Sequence, residues 1–275
     1  ARAAHRAGRR VIVGEIAPDL HGPSPLLGLF GAPRPKPDEL VDLEPRLRGV
    51  RLAPATGHRR MLMSALKIRL LVDQAMKSAA LHRFLNAAPT FPEIGILFHL
   101  AELLRDDGYD HLILDMPATG HAVGLAQLPH IVSRVVPTGI IGDAMKETIR
   151  RFSDPNHTRA VVVTLPEALP VTESLELVAA LGKQQVAVGS AILNRMPPSP
   201  FDDAELGALR TFLDAHPGRV LGARELRRLE RALAAREDFR AKTPAGVERF
   251  EIPLLDTTEP SRVVAALGER LGGGA

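Results

Sequence analysis

Cysteine is absent from this chain of 275 residues, which excludes disulfides, thiolate zinc sites and cysteine nucleophiles within it. Tryptophan is absent as well and tyrosine occurs once, so no basic tract interleaved with aromatics marks a nucleic-acid surface. Charge of one sign is equally lacking. Thirty-five Lys and Arg against 32 Asp and Glu leave a net +3, too slight to argue for a polyanionic partner. No apolar run approaches the roughly 18 residues of a membrane span, and Ala1 to Gly8 lacks the apolar centre of a secretion signal. The default expectation is a cytoplasmic protein. Ala1 is not an initiator Met, so the coding sequence is expected to be incomplete at this end.

Several enzyme signatures are also missing. No Gly-x-Ser-x-Gly elbow occurs, the ten histidines form no His-Glu-x-x-His spacing, and no Gly-x-Gly-x-x-Gly follows Val11 to Val13. Serine hydrolase, zinc protease and dinucleotide readings lose their usual support.

What is present is an alternation of short apolar runs with longer amphipathic stretches. The runs are Val11-Ile12-Val13, Val50-Arg51-Leu52, His111 to Asp115, Ala160 to Thr164, Val186 to Asn194 and Phe250 to Leu255. Between them lie helical patterns, among them Val171 to Leu181, Asp203 to His216, Arg224 to Lys242 and Pro260 to Leu271. Residues 1 to 7 read as the tail of a helix closed by Gly8. This order predicts an α/β fold, a doubly wound and mostly parallel sheet flanked by helices. No Ser/Gly-rich linker separates halves, so a single domain over residues 1–275 is expected.

Two stretches depart from the alternation. Prolines 33, 35, 37 and 45 predict an irregular surface excursion before a short strand at Val50. From about residue 59 to 107 the pattern is a helical layer, broken around Pro89 to Pro92, whose first half is rich in Met and Leu. That breadth of apolar residues suits packing against the sheet, or an adaptable groove for a client. Further on, His121 to Leu128 and Gly142 to Phe152 are expected to be helical, and Pro253 points to an edge position for the last strand.

The central stretch is Tyr109-Asp110-His111-Leu112-Ile113-Leu114-Asp115-Met116-Pro117-Ala118-Thr119-Gly120-His121. Its first half suits a strand buried on both faces and its second half a turn into a helix, which leaves Asp115 where the strand stops. Ligands collect at the carboxyl ends of strands in open α/β sheets, and a Gly at a helix start suits a phosphate. The run from Asp115 to His121 resembles the phosphate-sensing switch, Asp-x-x-Pro/Ala-Thr-Gly-His, of the ArsA-like anion-transporting and tail-anchored-protein-targeting ATPases. The resemblance covers most of the chain, from Arg10 to about Leu271.

That resemblance implies a P-loop NTPase-like ATPase domain with ATP and Mg²⁺ as its cofactors. Asp115 would hold the magnesium ion through water, Thr119 and Gly120 would face the γ-phosphate, and His121 would fix the loop. Pro117 lies within the same contact. In the position of the family's first switch stands Ile16-Ala17-Pro18, and the nearest carboxylate is Asp19, either a participant in hydrolysis or a turn former beside Pro18. Asn194 matches the residue whose amide reads adenine; its alternative role is to cap a strand-to-loop turn. Pro253 matches a later adenine-side segment.

The largest departure is the absence of a Gly-Lys-Gly-Gly-x-Gly-Lys-Thr loop, which would lie before Ala1; without it the chain alone should bind ATP poorly. By resemblance, hydrolysis would change how two facing nucleotide domains close, in a homodimer or a paired domain. The client would be a membrane protein, another protein or an exported anion, with no nucleic acid involved. The competing reading is an inactive ATPase-like partner that binds a protein through its Met/Leu-rich helices.

Overall fold

The computed structural model describes residues 1–17, 22–32, 34–35, 39–79, 91–105, 108–116, 146, 149–216 and 222–272, without the side chains of residues 65, 66 and 91. Two compact units emerge, Ala1–His157 with Thr257–Ala275, and Thr158–Asp256. Parallel sheets flanked by helices make the fold α/β, consistent with the P-loop NTPase-like expectation.

In the first unit a short helix α1 (Arg2–Arg6) ends before Gly8, whose φ of +76° supplies the left-handed turn that a residue with a Cβ resists. The chain then enters β1 (Val11–Ile16). A short helix α2 (Pro25–Gly28) follows, with β2 (Val41–Glu44) and β3 (Leu47–Leu52) after it. The sheet order is β2-β3-β1-β4, with β4 spanning His111–Asp115. β1 pairs in parallel with β3 on one side and β4 on the other.

Alternate residues of β1 feed two cores. Ile12 packs with Val50, Leu52 and the apolar face of a later helix around Phe98, while Val11 and Val13 pack with Leu27 and Leu47. Burial on both faces, expected from the run of apolar residues, holds for β1. It fails for β4, where Leu112 and Leu114 face the core and His111, Ile113 and Asp115 are exposed, the alternation of a strand with one covered face. Valines 161 and 163 show the same one-sided exposure in β5 (Ala160–Thr164).

The Pro-rich span is corrected as well. Its final residues are not irregular: Val41–Glu44 pairs antiparallel with β3 through a tight turn in which Arg46 takes a φ of +66°. The strand expected at Val50 is six residues long, because Leu47 is buried in register with Val11.

The helical layer begins earlier than residue 59. Helix α3 (Pro54–Leu66) opens with proline in its first turn, where the missing N–H costs nothing. Lys67 then turns left-handed at a φ of +56°, and α4 (Arg69–Met76) follows. Helix α5 spans Phe91–Leu104 with Pro92 in its first turn, as its sequence predicts. The expected break at Pro89 and the helix at His121 to Leu128 lie outside the described residues. Of the helix expected over Gly142 to Phe152, residues 146 and 149–152 are described and helical.

Helices α3 and α5 cross at a backbone contact made by two glycines. A Cβ on Gly57 would lie 1.8 Å from the Gly95 carbonyl oxygen, and one on Gly95 would lie 2.5 Å from that of Pro54. Beside the crossing His58 and His99 are buried, and Arg60 Nη1 donates to Glu102 Oε2 at 2.8 Å. Burial, aided by the Arg60 charge and opposed by Glu102, lowers the pKa of His99 to about 4.

In the second unit the sheet order is β5-β6-β7, all parallel, with β6 at Val188–Met196 and β7 at Glu248–Pro253. Helix α6 (Ala168–Lys183) packs on β5, while α7 (Asp203–Ala215) starts in a reciprocal cap between Asp202 and Glu205. Helix α8 (Ala223–Lys242) buries Leu226, Leu229, Ala232, Ala235 and Phe239 and leaves its Arg/Glu face in water, as its pattern predicts. β7 forms one side of the described sheet, in keeping with Pro253. Helix α9 (Pro260–Gly272) returns to the first unit and packs against α1.

Two outcomes are expected. Gly57→Ala should destabilise the protein by about 1–3 kcal/mol through overpacking, even though alanine favours a helix by about 1 kcal/mol; chemical denaturation measures the balance. His99 stays neutral when folded, so the unfolded chain binds the extra proton between its ordinary pKa of 6.5 and about 4. Stability should therefore be complete above that window and fall, by up to roughly 3 kcal/mol, as pH drops through it. The fall should flatten in His99→Gln, as followed by urea midpoints across the range.

Candidate functional site

β1, β3 and β4 run in the same direction and stop together, at Ile16, Leu52 and Asp115. The shared register brings Arg51, Glu15 and Asp115 side by side on neighbouring strands at this carboxyl end. Residues in register on parallel strands, about 4.8 Å apart, point to the same face.

Asp115 is the exposed member of the row. Its pKa is raised, first by partial burial and second by the charge of Glu15. A carboxylate held against a like charge gains from a nearby cation, which suits a hydrated divalent ion at this corner. Glu15 is not available for that task. Buried at 9% exposure, its Oε2 accepts hydrogen bonds from Ser24 Oγ and from the Leu26 backbone N–H at 3.0 Å. One outward carboxylate therefore remains, the number needed for a water-mediated contact to magnesium. Among the described residues no group of three or more His, Asp or Glu could by itself hold a metal ion.

Glu15 and Arg51 escaped the reading of the sequence. The available signal was a lone acid inside the otherwise apolar strand Val11–Ile16; Leu47–Leu52 carries two arginines, Arg48 and Arg51, and only the second is fully buried. Pro117, Thr119, Gly120, His121 and Asp19 lie outside the described residues.

In the second unit Asn194 and Pro253 stand near the carboxyl ends of the adjacent strands β6 and β7. Their ends are joined by the pairing of Met196 with Pro253 and by the Leu254 N–H donating to the Met196 carbonyl at 2.8 Å. Asn194 Oδ1 accepts from the Arg195 N–H at 2.9 Å, and Arg195 takes a φ of +61°. The local bond is that of a side chain shaping the end of a strand, and it leaves the amide group of Asn194 chemically able to donate.

A cavity of about 630 Å³ lies at the opposite end of the first sheet, lined among others by Arg10, Arg46 and Tyr109, which precede β1, β3 and β4, and by Arg48 of β3. Its cations are engaged in structural contacts. Arg10 binds Asp110, holding that carboxyl down to about 2 through side-chain and backbone hydrogen bonds, and Arg48 donates to Asp42 and to the Tyr109 hydroxyl. Its position at the amino ends of the strands separates it from Asp115.

Residues 55–142 match the anion-transporting ATPase family, a stretch that contains Asp115 and the run to His121. ATPase BagA of Mycobacterium tuberculosis is 33% identical over 98 residues, covering 36% of this chain and 28% of BagA. The ATPase ASNA1 homolog of Trypanosoma cruzi is 28% identical over a stretch covering 48% of each chain. The matches thus span from about a quarter to a half of these relatives. Among the described residues no helix is long and apolar enough to cross a membrane.

The electrostatics of the row predict a measurable shift. Glu15→Gln should lower the Asp115 pKa part of the way toward its ordinary value, the contribution of burial remaining. Carboxyl carbon chemical shifts followed through a pH titration report it directly.

Proposed function

We propose, from the match of residues 55–142 to the anion-transporting ATPase family, that this chain is the nucleotide-hydrolysing part of an ArsA-like ATPase. The observation that carries the reading is Asp115, an exposed carboxylate at the carboxyl end of a parallel strand, beside a second carboxylate and inside the matched stretch. In the proposal Asp115 orients, through water, the magnesium ion of bound ATP. That ion would neutralise charge on the phosphates.

Thr119 and Gly120 follow Asp115 closely enough in sequence to offer a hydroxyl and an unobstructed N–H to the γ-phosphate, with His121 and Pro117 shaping the turn and Asp19 beside the attacking water. Asn194 and Pro253 are assigned to adenine. Hydrolysis is coupled to closure of a homodimer or paired domain, in anion export or in protein targeting.

A second reading, a non-hydrolysing partner that binds a protein client, draws on the apolar surface of α4, where Leu70 is 77% exposed and Ile68 and Leu71 are also exposed. Phosphate release by the full-length protein, followed with malachite green, separates the two. Asp115→Ala should reduce release by about ten- to a hundredfold, the scale seen for outer-shell metal partners. Equal release from both proteins would remove Asp115 from the mechanism, and absence of release from the unaltered protein would favour the client-binding partner.

A further inference from the structure

Two charged side chains are buried next to Asp115 although the sheet does not need charge there to pair. Glu15 is 9% exposed and Arg51 is 4% exposed. Removing such groups from water is costly unless they are hydrogen-bonded, so what they hold shows what their burial achieves.

Both hold the same piece of chain. Glu15 Oε2 accepts from Ser24 Oγ and from the Leu26 N–H, and Arg51 Nη1 donates to the Gly22 carbonyl oxygen. Ser24 is itself 2% exposed, and its Oγ accepts from the Leu27 N–H at 3.1 Å, capping α2. On the other side of the connection the Ala17 N–H donates to the Leu52 carbonyl at 2.8 Å. Ala17 and Gly22, which flank Asp19 in the sequence, are thus each tied to the carboxyl edge of β3. Asp115 ends the next strand in the same register.

We propose that Glu15 and Arg51 are positioning residues, a buried clamp that fixes residues 22–27 at the carboxyl edge of β1 and β3 and so governs the rate of phosphate release more than the affinity for nucleotide. The proposal rests on the reading of Asp115 as facing phosphate. Both groups that bond Glu15 are donors, so the ionised carboxylate satisfies them with a charge-assisted contact. A glutamine retains the shape and one acceptor oxygen but loses the charge that strengthens both bonds. Arg51 acts on the far side through a backbone carbonyl, where lysine would keep the charge and lose the planar fork.

Amide hydrogen exchange on the full-length protein without nucleotide tests the clamp apart from catalysis. Glu15→Gln should speed exchange over residues 22–27 by about tenfold, as expected for a weakened bond to a charged group. Asp115→Ala should not change it. Phosphate release should then show kcat reduced by roughly ten- to a hundredfold in Glu15→Gln, with KM for ATP within about twofold of the original because groups that bind the substrate uniformly are untouched. Arg51→Lys, which keeps the buried charge and loses the planar fork, provides the same two readouts if Glu15→Gln does not fold.

Unchanged exchange over residues 22–27 overturns the clamp. Faster exchange with kcat unchanged overturns its positioning role while leaving the Asp115 reading intact. Equal phosphate release from Asp115→Ala and the unaltered protein removes that underlying reading, and the positioning role with it.

Discussion

Parallel pairing on both sides of Val11–Ile16 is the constraint on which the first unit depends. β1 is hydrogen-bonded to β3 and β4 at once, and its side chains feed opposite cores, Ile12 toward Phe98 and Val11 with Val13 toward Leu27. A slip of one residue would exchange those faces and turn each apolar side chain toward the wrong layer. The same slip would break the row of Arg51, Glu15 and Asp115. Core packing and the placement of charge at the carboxyl edge are therefore two effects of one register.

The helices that cover this sheet are held by an equally close fit. Gly57 and Gly95 allow the α3 and α5 backbones to touch, which draws His58 and His99 into the apolar layer. Such an approach is available only without a Cβ, and it leaves a buried imidazole that cannot readily take a proton. Residues 55–142, the stretch shared with the anion-transporting ATPases, include this crossing as well as Asp115. The glycine crossing and Asp115 thus lie in one matched segment.

The two ends of the first sheet differ in kind. At the amino end Arg10, Arg48, Asp42 and Asp110 pair among themselves on the rim of a wide cavity, a solvated network whose members satisfy one another. At the carboxyl end Glu15 and Arg51 are buried and bond Gly22, Ser24 and Leu26, while Asp115 is exposed. The second unit repeats the directional rule, with Asn194 and Pro253 near the joined ends of β6 and β7.

The order of strands and helices was legible because apolar runs and helical periodicities are local, and the face of α8 and the start of α5 followed directly from them. Proline misled in one place, since Pro33 to Pro45 hid the pairing of Val41–Glu44, whose partner lies on the next strand. Asp115 stands out in the sequence because of the residues that follow it. Its neighbours Glu15 and Arg51 do not, because they come from positions 100 and 64 residues away, and no local pattern marks a charge that becomes buried by strand pairing. The sequence by itself determined the α/β class and the run from Asp115 to His121 that lies in the stretch matched to the anion-transporting ATPases, both written in adjacent residues. Only the tertiary structure decided which charges stand together at the edge of the sheet, because register is fixed by the packing of two cores that distant parts of the chain build jointly.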